Sequence, residues 1–564
     1  MHRPASLLLL LVLHWAAVST PAQRERRAST VPPIQVPATK PKPDASPSPT
    51  PADLRLQKSA ASQSRLAQTT KTLAELQARI AEVLKRPELS AAMVGVKVAS
   101  LETNRILFEE NANKLLRPAS NMKLYTVAAA LDRLSPDYRF TTSVYARNSP
   151  DAAGTLRGDL TIYGRGDPSI AARFNNGDYL KAIDELAARI AATGLKRVEG
   201  DLVGDETYFT GPQYGSGWEW EDLQWWYGAE VSALTVNDNA LDLFVKPGLD
   251  VGSPATITTG PPDPLLTITN RVTTAPKGSR RDLTIHRGLG ENVLNISGSI
   301  ALDDSGYSAA VGISHPALLF VYLLRASLAQ KGVIVTGKSR TTGPVNHTLL
   351  NTAGASFTID GNGSSSSAKP ALVEIATMQS PPLSLIAAET MKVSQNLYTE
   401  LILRTLGKVI SPPVSSIPGN SSENAGIEVV KAFLKEAGIN PEALVLTDGS
   451  GLSRNDMVTA DATLALLTYM IRRPQANAFR EALPIAGVDG TLRNRFRGTA
   501  AESNVRAKTG SLSSAASLSG YLTTAAGENL VFSIMVNNFP ADVEPRPVCI
   551  DPIVVLLASF AGRS

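Results

Sequence analysis

A serine and a lysine lie three residues apart at the start of an apolar segment. They are Ser120 and Lys123, within "RPASNMKLYT" (117–126), and the apolar run that follows is typical of a helix. Because residues i and i+3 share one face of a helix, the lysine amine can reach the serine hydroxyl. A serine becomes a nucleophile when a base takes its proton, and lysine serves when its pKa falls toward neutrality. The spacing predicts a nucleophile and its base; a capped helix with a surface lysine is the alternative.

Histidine, the usual base for a serine nucleophile, is poorly placed in this chain. Two of the five histidines lie within the first 14 residues, and the other three lie between residues 286 and 347, in a strand-rich insertion outside the candidate α/β domain. A Ser-His-Asp triad is therefore disfavoured. Lys123 remains the predicted base.

Two further short motifs, Ser-x-Asn and Lys-Thr-Gly, complete a candidate site. Lys508, the lysine of Lys-Thr-Gly, would be a cation that lowers the pKa of Lys123 and draws a carboxylate substrate. Each motif alone fits a helix cap or a turn, whereas Ser-x-x-Lys, Ser-x-Asn and Lys-Thr-Gly in this order form the signature of penicillin-recognising serine acyl-transferases. The added candidates are Ser394 and Asn396 of "SQN", and Lys508, Thr509, Gly510 and Ser511 of "KTGS".

From about residue 75 to the C-terminus, the chain resembles the low-molecular-mass class C penicillin-binding proteins, the D-alanyl-D-alanine carboxypeptidase/endopeptidase family S13. The resemblance implies an α/β (α+β) fold of the serine β-lactamase/DD-peptidase type, a transpeptidase domain with two inserted strand-rich domains and no metal or cofactor. Besides the three motifs, it rests on "YGRGDPSI", "YGAEVSALTVNDN", "LTDGSGLSRNDMV", "GVDGTLRNR" and "AKTGSLSSAASLSGYL".

The resemblance also implies an activity. The protein would be an exported peptidase that hydrolyses peptidoglycan stem peptides through an acyl-enzyme on Ser120, and β-lactams would be its covalent inhibitors. Ser394 would relay a proton to the leaving amine, and Asn396 would position the substrate amide. The residues of "KTGS" would hold the terminal carboxylate of the substrate.

Two positions depart from the family pattern. Gln395 stands where the middle of Ser-x-Asn is often Asp, and Ser511 stands where Thr usually follows Lys-Thr-Gly. The side chain of Gln395 should point away from the nucleophile, and Ser511 keeps a hydroxyl. Neither change removes a chemical group that the mechanism needs.

Three residues outside the motifs are candidates for substrate contact. The resemblance places Asp222 and Tyr227, in the tryptophan-rich "WEWEDLQWWYG" (218–228), beside the stem-peptide pocket, and Arg454 of "DGSGLSR" near it. Arg454 suits a carboxylate and Asp222 suits an amine, so that together they would read the zwitterionic end of diaminopimelate. In the alternatives, Arg454 only braces its loop, and the tryptophans pack or stack on carbohydrate.

Composition excludes several other classes of protein. The chain has 564 residues, 43% of them hydrophobic, which is enough for two or three domains with ordinary cores. A net charge of +4 argues against a dedicated nucleic-acid binder. The single cysteine, Cys549, cannot form an internal disulfide, and no Cys/His cluster suggests a zinc site.

The N-terminal part of the sequence predicts an export signal followed by a linker. Residues 1–22 combine Arg3, an apolar stretch and a small residue, Ala22, which predicts a cleaved signal peptide, with a retained anchor as the alternative. Residues 23–68 are rich in Pro, Ser and charge, which predicts a disordered linker. We therefore expect the protein in a periplasm or on the extracytoplasmic face of a cell wall. Basic residues of the linker would allow peripheral association with a membrane or wall.

Hydrophobic periodicity indicates the elements that must position the site. A helix near residues 69–86, a hairpin of "MVGVKVASL" and "RILFEEN", and the Ser-x-x-Lys helix come first. Short strand candidates dominate residues 139–375, and helices return afterwards, followed by a hairpin and a closing helix. We predict a peptidase domain of residues 69–138 and 376–564, interrupted by a strand-rich insertion of residues 139–375.

Two rival functions remain open at this point. A β-lactamase or esterase on the same fold would use the same motifs. A wall-binding or adhesion protein with a spent site would not need them, and the Arg-Gly-Asp tripeptide at 165–167 is better explained as a turn. The complete set of six reactive groups argues against a spent site.

Overall fold

The computed structural model describes residues 69–343, 372–411 and 421–564. The predicted signal peptide (1–22) and linker (23–68) lie outside the described residues. No helix in the described ranges has the length and apolar character that crossing a membrane requires.

The first described segment has the predicted order of helix, hairpin and helix. Thr72 caps the first helix by accepting a hydrogen bond from the Glu75 amide, and Leu76, Ile80 and Val83 form its buried face. A turn of 3₁₀ helix over Ala119–Asn121 leads into the second helix. The elements are α1 (Leu73–Leu84), β1 (Met93–Ser100), β2 (Ile106–Glu110) and α2 (Met122–Arg133).

The middle of the chain contains strands and two helices. Its elements are β3 (Thr141–Ala146), β4 (Thr155–Arg157), β5 (Leu160–Tyr163), α3 (Lys181–Ala192), β6 (Arg197–Glu199), β7 (Leu202–Asp205), β8 (Ala240–Lys246), β9 (Thr256–Gly260), β10 (Thr267–Ala275), β11 (Asp282–Arg287), β12 (Val293–Ala301), β13 (Tyr307–Gly312), α4 (Pro316–Gln330), β14 (Ile334–Val335), β15 (Ser339–Thr342) and β16 (Val373–Gln379).

The last part is helical and closes with a hairpin and a helix, as predicted. A short π-helical turn, Arg546–Ile550, precedes the final helix. The elements are α5 (Leu383–Lys392), α6 (Asn396–Val409), α7 (Ser422–Glu436), α8 (Ala460–Met470), α9 (Ala476–Ala482), β17 (Arg506–Leu512), β18 (Ala515–Thr523), β19 (Asn529–Asn537) and α10 (Asp551–Ala558).

One antiparallel sheet joins the two ends of the described chain. Its strand order is β17-β18-β19-β1-β2. Side chains of β19 alternate between two buried faces: Phe532 and Ile534 pack with α1 and α10, and Val531 and Met535 pack with the helical layer. Strand β17, which carries "KTGS", is therefore an edge strand beside the helices.

Helix α2 is the centre of the helical layer. Residues 122–131 are all buried, which explains why its sequence is apolar on every side. Its neighbours in this core come from α6, α7 and α8, and they include Ile402, Phe433 and Leu467. The nucleophile candidate thus precedes a helix that packing holds on all sides.

The middle region forms further sheets. The largest has the order β15-β7-β5-β3-β16, and the others are β14-β6-β4, β13-β8-β9 and β10-β12-β11. Strands β3 and β16 pair where the chain enters and leaves this region. The strand-rich character is as expected, and the domain boundaries themselves stay a prediction.

Two helices in this region were not anticipated from the strand-like texture of the sequence. Helices α3 and α4 pack against the largest sheet, with Leu186 and Phe320 in a shared core beside Val144. Ala182, Ile183, Leu186 and Ile190 follow helical spacing in α3. This periodic signal was present, and short flanking strands obscured it.

Candidate active site

The backbone around Ser120 is tightly held. Ser120 lies in the 3₁₀ turn before α2, and Ala119 before it has a left-handed φ of 47°. Strand β18 fixes this turn from the sheet side: Ser517 Oγ donates to the Pro118 carbonyl over 2.7 Å, and Asn121 Nδ2 donates to Ser519 Oγ over 2.9 Å. The hydroxyl of Ser120 therefore lies at the junction of the sheet and the helices.

Lys123 is fully buried and lies next to Ser120. Its Nζ is 3.0 Å from Ser120 Oγ, 2.6 Å from Asn396 Oδ1 and 2.8 Å from the Ser450 carbonyl oxygen. Burial lowers the pKa of Lys123 to about 7. A neutral amine is thus accessible near neutral pH, which is the property that a general base requires.

The Ser-x-Asn motif lies at the junction of α5 and α6. Ser394 has a left-handed φ of 65°. Gln395 caps α6 by accepting a hydrogen bond from the Leu397 amide over 3.1 Å, so its side chain serves the helix backbone. Asn396, the first residue of α6, donates to the Tyr227 carbonyl over 2.8 Å and accepts from Lys123.

Lys508 lies on β17 and is also fully buried. Its Nζ donates to Ser394 Oγ over 2.8 Å and to the Thr509 carbonyl over 2.9 Å. Burial, and then the charge of Lys123, lower the pKa of Lys508 well below its ordinary value. Of the two causes that could lower the pKa of Lys123, desolvation and a neighbouring cation, burial is the largest cause at Lys123.

The rest of "KTGS" lines the edge of the sheet. The Thr509 hydroxyl donates to Thr491 Oγ1 over 2.8 Å, and Ser511 is exposed. Gly510 is needed for close approach, since a Cβ there would lie 2.2 Å from Ser517 Oγ and 2.5 Å from the Pro118 carbonyl oxygen. Only a glycine lets β17 lie against the turn that carries Ser120.

The candidates from the tryptophan-rich segment and the "DGSGLSR" loop also meet. Arg454 Nη1 lies 3.4 Å from Asp222 Oδ2 and 2.8 Å from Glu219 Oε2. Asp222 is buried, whereas Glu219 is partly exposed. Tyr227 contributes its backbone carbonyl, which accepts a hydrogen bond from Asn396. We call the segment 218–228 together with Arg454 the rim.

Three contacts at the site have no signal in sequence patterns. The Ser450 carbonyl accepts a hydrogen bond from Lys123, and the Thr491 hydroxyl accepts one from Thr509. Glu219 forms an ion pair with Arg454. The first is a backbone group, and the other two depend on segments that are distant in sequence. Within the described residues, no group of three or more His, Cys, Asp or Glu side chains is arranged to hold a metal ion.

Comparison with known proteins gives the same family over almost the whole described chain. Residues 76–560 match the D-Ala-D-Ala carboxypeptidase 3 (S13) family. The chain is 35% identical over 503 residues to a D-alanyl-D-alanine carboxypeptidase of Actinomadura sp. (strain R39), which covers 87% of this chain and 86% of that protein. It is 26% identical over 476 residues to the D-alanyl-D-alanine carboxypeptidase DacB of Haemophilus influenzae, with 82% and 88% covered.

A solved structure shares the fold. Penicillin binding protein 4 (dacB) from Haemophilus influenzae superposes with a TM-score of 0.68 at 23% identity, covering 84% of this chain and 97% of that one. This likeness confirms the predicted mixed α/β architecture of the β-lactamase/DD-peptidase type. From the family match and the identity to its relatives, the chain belongs to the D-Ala-D-Ala carboxypeptidase 3 (S13) family and is a serine-type D-Ala-D-Ala carboxypeptidase, as its motifs predicted.

Proposed function

We propose that this enzyme hydrolyses peptidoglycan stem peptides outside the cytoplasm, through an acyl-enzyme on Ser120. The proposal depends above all on one observation. A fully buried amine, Lys123 Nζ, lies 3.0 Å from Ser120 Oγ, and burial lowers its pKa to about 7. A hydroxyl and a partly neutral amine at this distance form the activated nucleophile of acyl transfer.

Acylation proceeds in two linked steps. Lys123 takes the Ser120 proton while Ser120 Oγ attacks the carbonyl carbon between the two terminal D-alanines. The carbon–nitrogen bond then breaks, and Ser394, which is hydrogen-bonded to Lys508, relays to the leaving amine the proton that Lys123 took, so that Lys123 is neutral again. Backbone N–H groups of Ser120 and of the strand after Lys508 stabilise the oxyanion. One D-alanine leaves, and the shortened peptide stays esterified to Ser120.

Water completes the cycle by hydrolysing the ester. Before that, Asn396 positions the substrate amide, and Lys508, Thr509 and Ser511 hold the terminal carboxylate. A D-alanyl–diaminopimelate crosslink presents the same kind of bond to the same groups. We therefore propose endopeptidase activity at this site as well.

β-Lactams are proposed as covalent inhibitors of the same serine. Penicillin binding protein 4 from Haemophilus influenzae has been solved in complex with a novel β-lactam. A β-lactam carries an amide carbonyl and a carboxylate, which are the groups that Ser120 and Lys508 would engage in the peptide. The acyl-enzyme forms when Ser120 opens the four-membered ring.

The rim is proposed to read the third residue of the stem peptide. Asp222 would bind the amine of a diaminopimelate end, and Arg454 its carboxylate. Because Glu219 already pairs with Arg454, the incoming carboxylate would have to replace Glu219. Selection by the rim would therefore depend on how readily that ion pair opens.

A fluorescent penicillin followed by denaturing electrophoresis tests the proposed chemistry. We expect a long-lived label on the wild type, with a labelling rate that rises with pH through about 7 as Lys123 loses its proton. Lys123→Arg should label at least about a hundredfold more slowly, because arginine stays protonated. Near-normal labelling of this variant would contradict the assignment of the base.

Other results would identify a different function. Rapid turnover without retained label would favour a β-lactamase. Absence of any reaction in the wild type would favour a protein that only binds the cell wall. Release of free D-alanine from a peptide ending in D-Ala-D-Ala, measured in parallel, should accompany labelling.

A further inference from the structure

Asp448 is a buried carboxylate that lies next to the candidate site and was not among the candidate residues. Its side chain has no solvent exposure. It begins the "DGSGLSR" loop and accepts five hydrogen bonds. The donors are the Gly451 amide at 2.6 Å, the Ser450 hydroxyl at 2.9 Å, the Leu452 and Ser453 amides at 3.1 Å, and Trp218 Nε1 at 2.8 Å.

The hydrogen bonds reach both oxygens of the Asp448 carboxyl: the Gly451 amide donates to Oδ1, and the other four donors, among them Trp218 Nε1, donate to Oδ2. Two other buried carboxyls, Glu400 and Asp456, also lie near enough to raise the pKa of Lys123 by their charge. Burial raises the pKa of both well above the ordinary range. Of the three carboxyls, Asp448 has the largest electrostatic effect on Lys123, and it raises the pKa of that amine against the effect of burial.

The loop organised by Asp448 contacts both the base and the nucleophile turn. The Ser450 carbonyl accepts from Lys123 Nζ over 2.8 Å. Gly451, with a left-handed φ of 77°, lies so close that a Cβ would be 1.9 Å from the Ala119 carbonyl oxygen. A shift of this loop would therefore move the acceptor that orients the Lys123 amine.

The same carboxylate reaches the rim. Trp218 begins the tryptophan-rich segment, and the next residue in it, Glu219, binds Arg454 from the loop of Asp448. A Cβ on Gly217 would lie 2.4 Å from Ser453 Oγ, so the two segments are closely packed. Asp448 thus bonds to the loop under the base and to the segment that would contact the substrate.

We propose that Asp448 is a positioning residue that holds the loop under Lys123 and the tryptophan-rich segment of the rim in one geometry. The inference rests on the proposed role of Lys123 as the base. Asp448 favours the protonated form of the Lys123 amine, whereas burial favours the neutral form. Asp448 would therefore keep Lys123 from becoming permanently neutral and would fix the direction of its lone pair.

The test compares Asp448→Asn with Asp456→Asn, a matched change in the same buried cluster. Penicillin labelling is measured from pH 5 to 10, together with the thermal unfolding midpoint. Asp448→Asn should label at least about tenfold more slowly, and its pH of half-maximal rate should fall by about one unit because the proton on Lys123 loses a stabilising anion. Asp456 has a smaller effect on the pKa of Lys123 than Asp448 has, so Asp456→Asn should shift the pH profile less.

A third variant tests the link to the rim. Trp218→Phe removes one hydrogen bond to Asp448 and leaves its charge in place. We expect KM for a stem peptide to rise at least about fivefold, the scale of one hydrogen bond, with no change in the pH of half-maximal penicillin labelling.

Several outcomes would overturn the inference. One is a folded Asp448→Asn enzyme with the wild-type rate and pH profile. Another is a larger downward pH shift in Asp456→Asn than in Asp448→Asn. An unchanged KM in Trp218→Phe would remove the link to the rim. Lys123→Arg, measured alongside, separates failure of this inference from failure of the proposed base. Normal labelling of Lys123→Arg would contradict the role of Lys123 as the base. Loss of labelling in Lys123→Arg together with wild-type behaviour of Asp448→Asn would contradict only the role of Asp448.

Discussion

Arg454 lies between two carboxylates at the edge of the proposed active site. It is 2.8 Å from Glu219 and 3.4 Å from Asp222, and Glu219 is the more exposed of the two. The Glu219 side chain is 41% exposed, and solvent weakens an ion pair on its exposed side, so a substrate carboxylate can compete with Glu219. At this scale, the proposed selectivity of the rim would be a competition between Glu219 and a substrate carboxylate for the guanidinium of Arg454.

Two stem peptides ending in D-Ala-D-Ala, with diaminopimelate or acetyl-lysine at the third position, test this selectivity. The wild type should prefer diaminopimelate, and Asp222→Ala and Arg454→Ala should each lose about tenfold of that preference, the scale of one charged hydrogen bond. Glu219→Gln should strengthen the preference, because it frees Arg454. Rates of penicillin labelling serve as the control and should change little. Equal wild-type kcat/KM for both peptides would contradict the prediction.

At the scale of elements, the site depends on how closely β17 approaches the turn before α2. Gly510 lies opposite Ser517 in the register of β17 and β18, and Ser517 in turn holds the Pro118 carbonyl. This contact between β17, β18 and the turn before α2 places the Lys-Thr-Gly motif beside the nucleophile. It leaves no room for an additional side-chain atom at Gly510.

Gly510→Ala should therefore affect both stability and chemistry. The added Cβ would lie 2.2 Å from Ser517 Oγ, and relieving such overpacking costs about 1–3 kcal/mol of unfolding free energy. Displacement of β17 should also slow penicillin labelling. Gly343→Ala is the matched control, since a Cβ there meets nothing within 4 Å. If denaturant unfolding and labelling of the Gly510 variant both equal those of the wild type, β17 does not constrain the site as described.

At the scale of the whole molecule, the middle region supports the site without supplying its reactive groups. Its Phe209 and Val231 pack against Leu397 and Tyr398 of α6 in one small core. It also supplies the rim and the Tyr227 carbonyl that holds Asn396. The proposed nucleophile, base and cations all come from chain segments before and after this region.

Limited proteolysis tests this division of labour. The loop between β8 and β9 contains Leu249, which is 91% exposed, so proteases should cut there before they cut the main sheet or the helical layer. The nicked protein should still be labelled by penicillin, because each reactive group lies outside the cut region. Mass spectrometry locates the cuts. Complete loss of labelling in nicked protein that keeps its circular dichroism would refute the division.

Local signals in the sequence were sufficient for much of this account. The order of Ser-x-x-Lys, Ser-x-Asn and Lys-Thr-Gly predicted the family and the fold, and periodicity predicted α1, the β1–β2 hairpin, α2 and the β18–β19 hairpin. These features depend on residues that are neighbours in sequence. Periodicity was less useful for α3 and α4, because short strands surround them and their apolar faces meet a sheet built from distant segments.

The sequence by itself thus determined which reactive side chains the enzyme has and the elements on which most of them lie. Only the tertiary structure decided the environment of those side chains. Lys123 meets Asn396, 273 positions later in the chain, and the Ser450 carbonyl, a backbone group without any side-chain signature. The pKa of Lys123 falls to about 7 because packing from many segments excludes water from its amine. Desolvation is a property of the whole packed core, and for that reason no motif could reveal it.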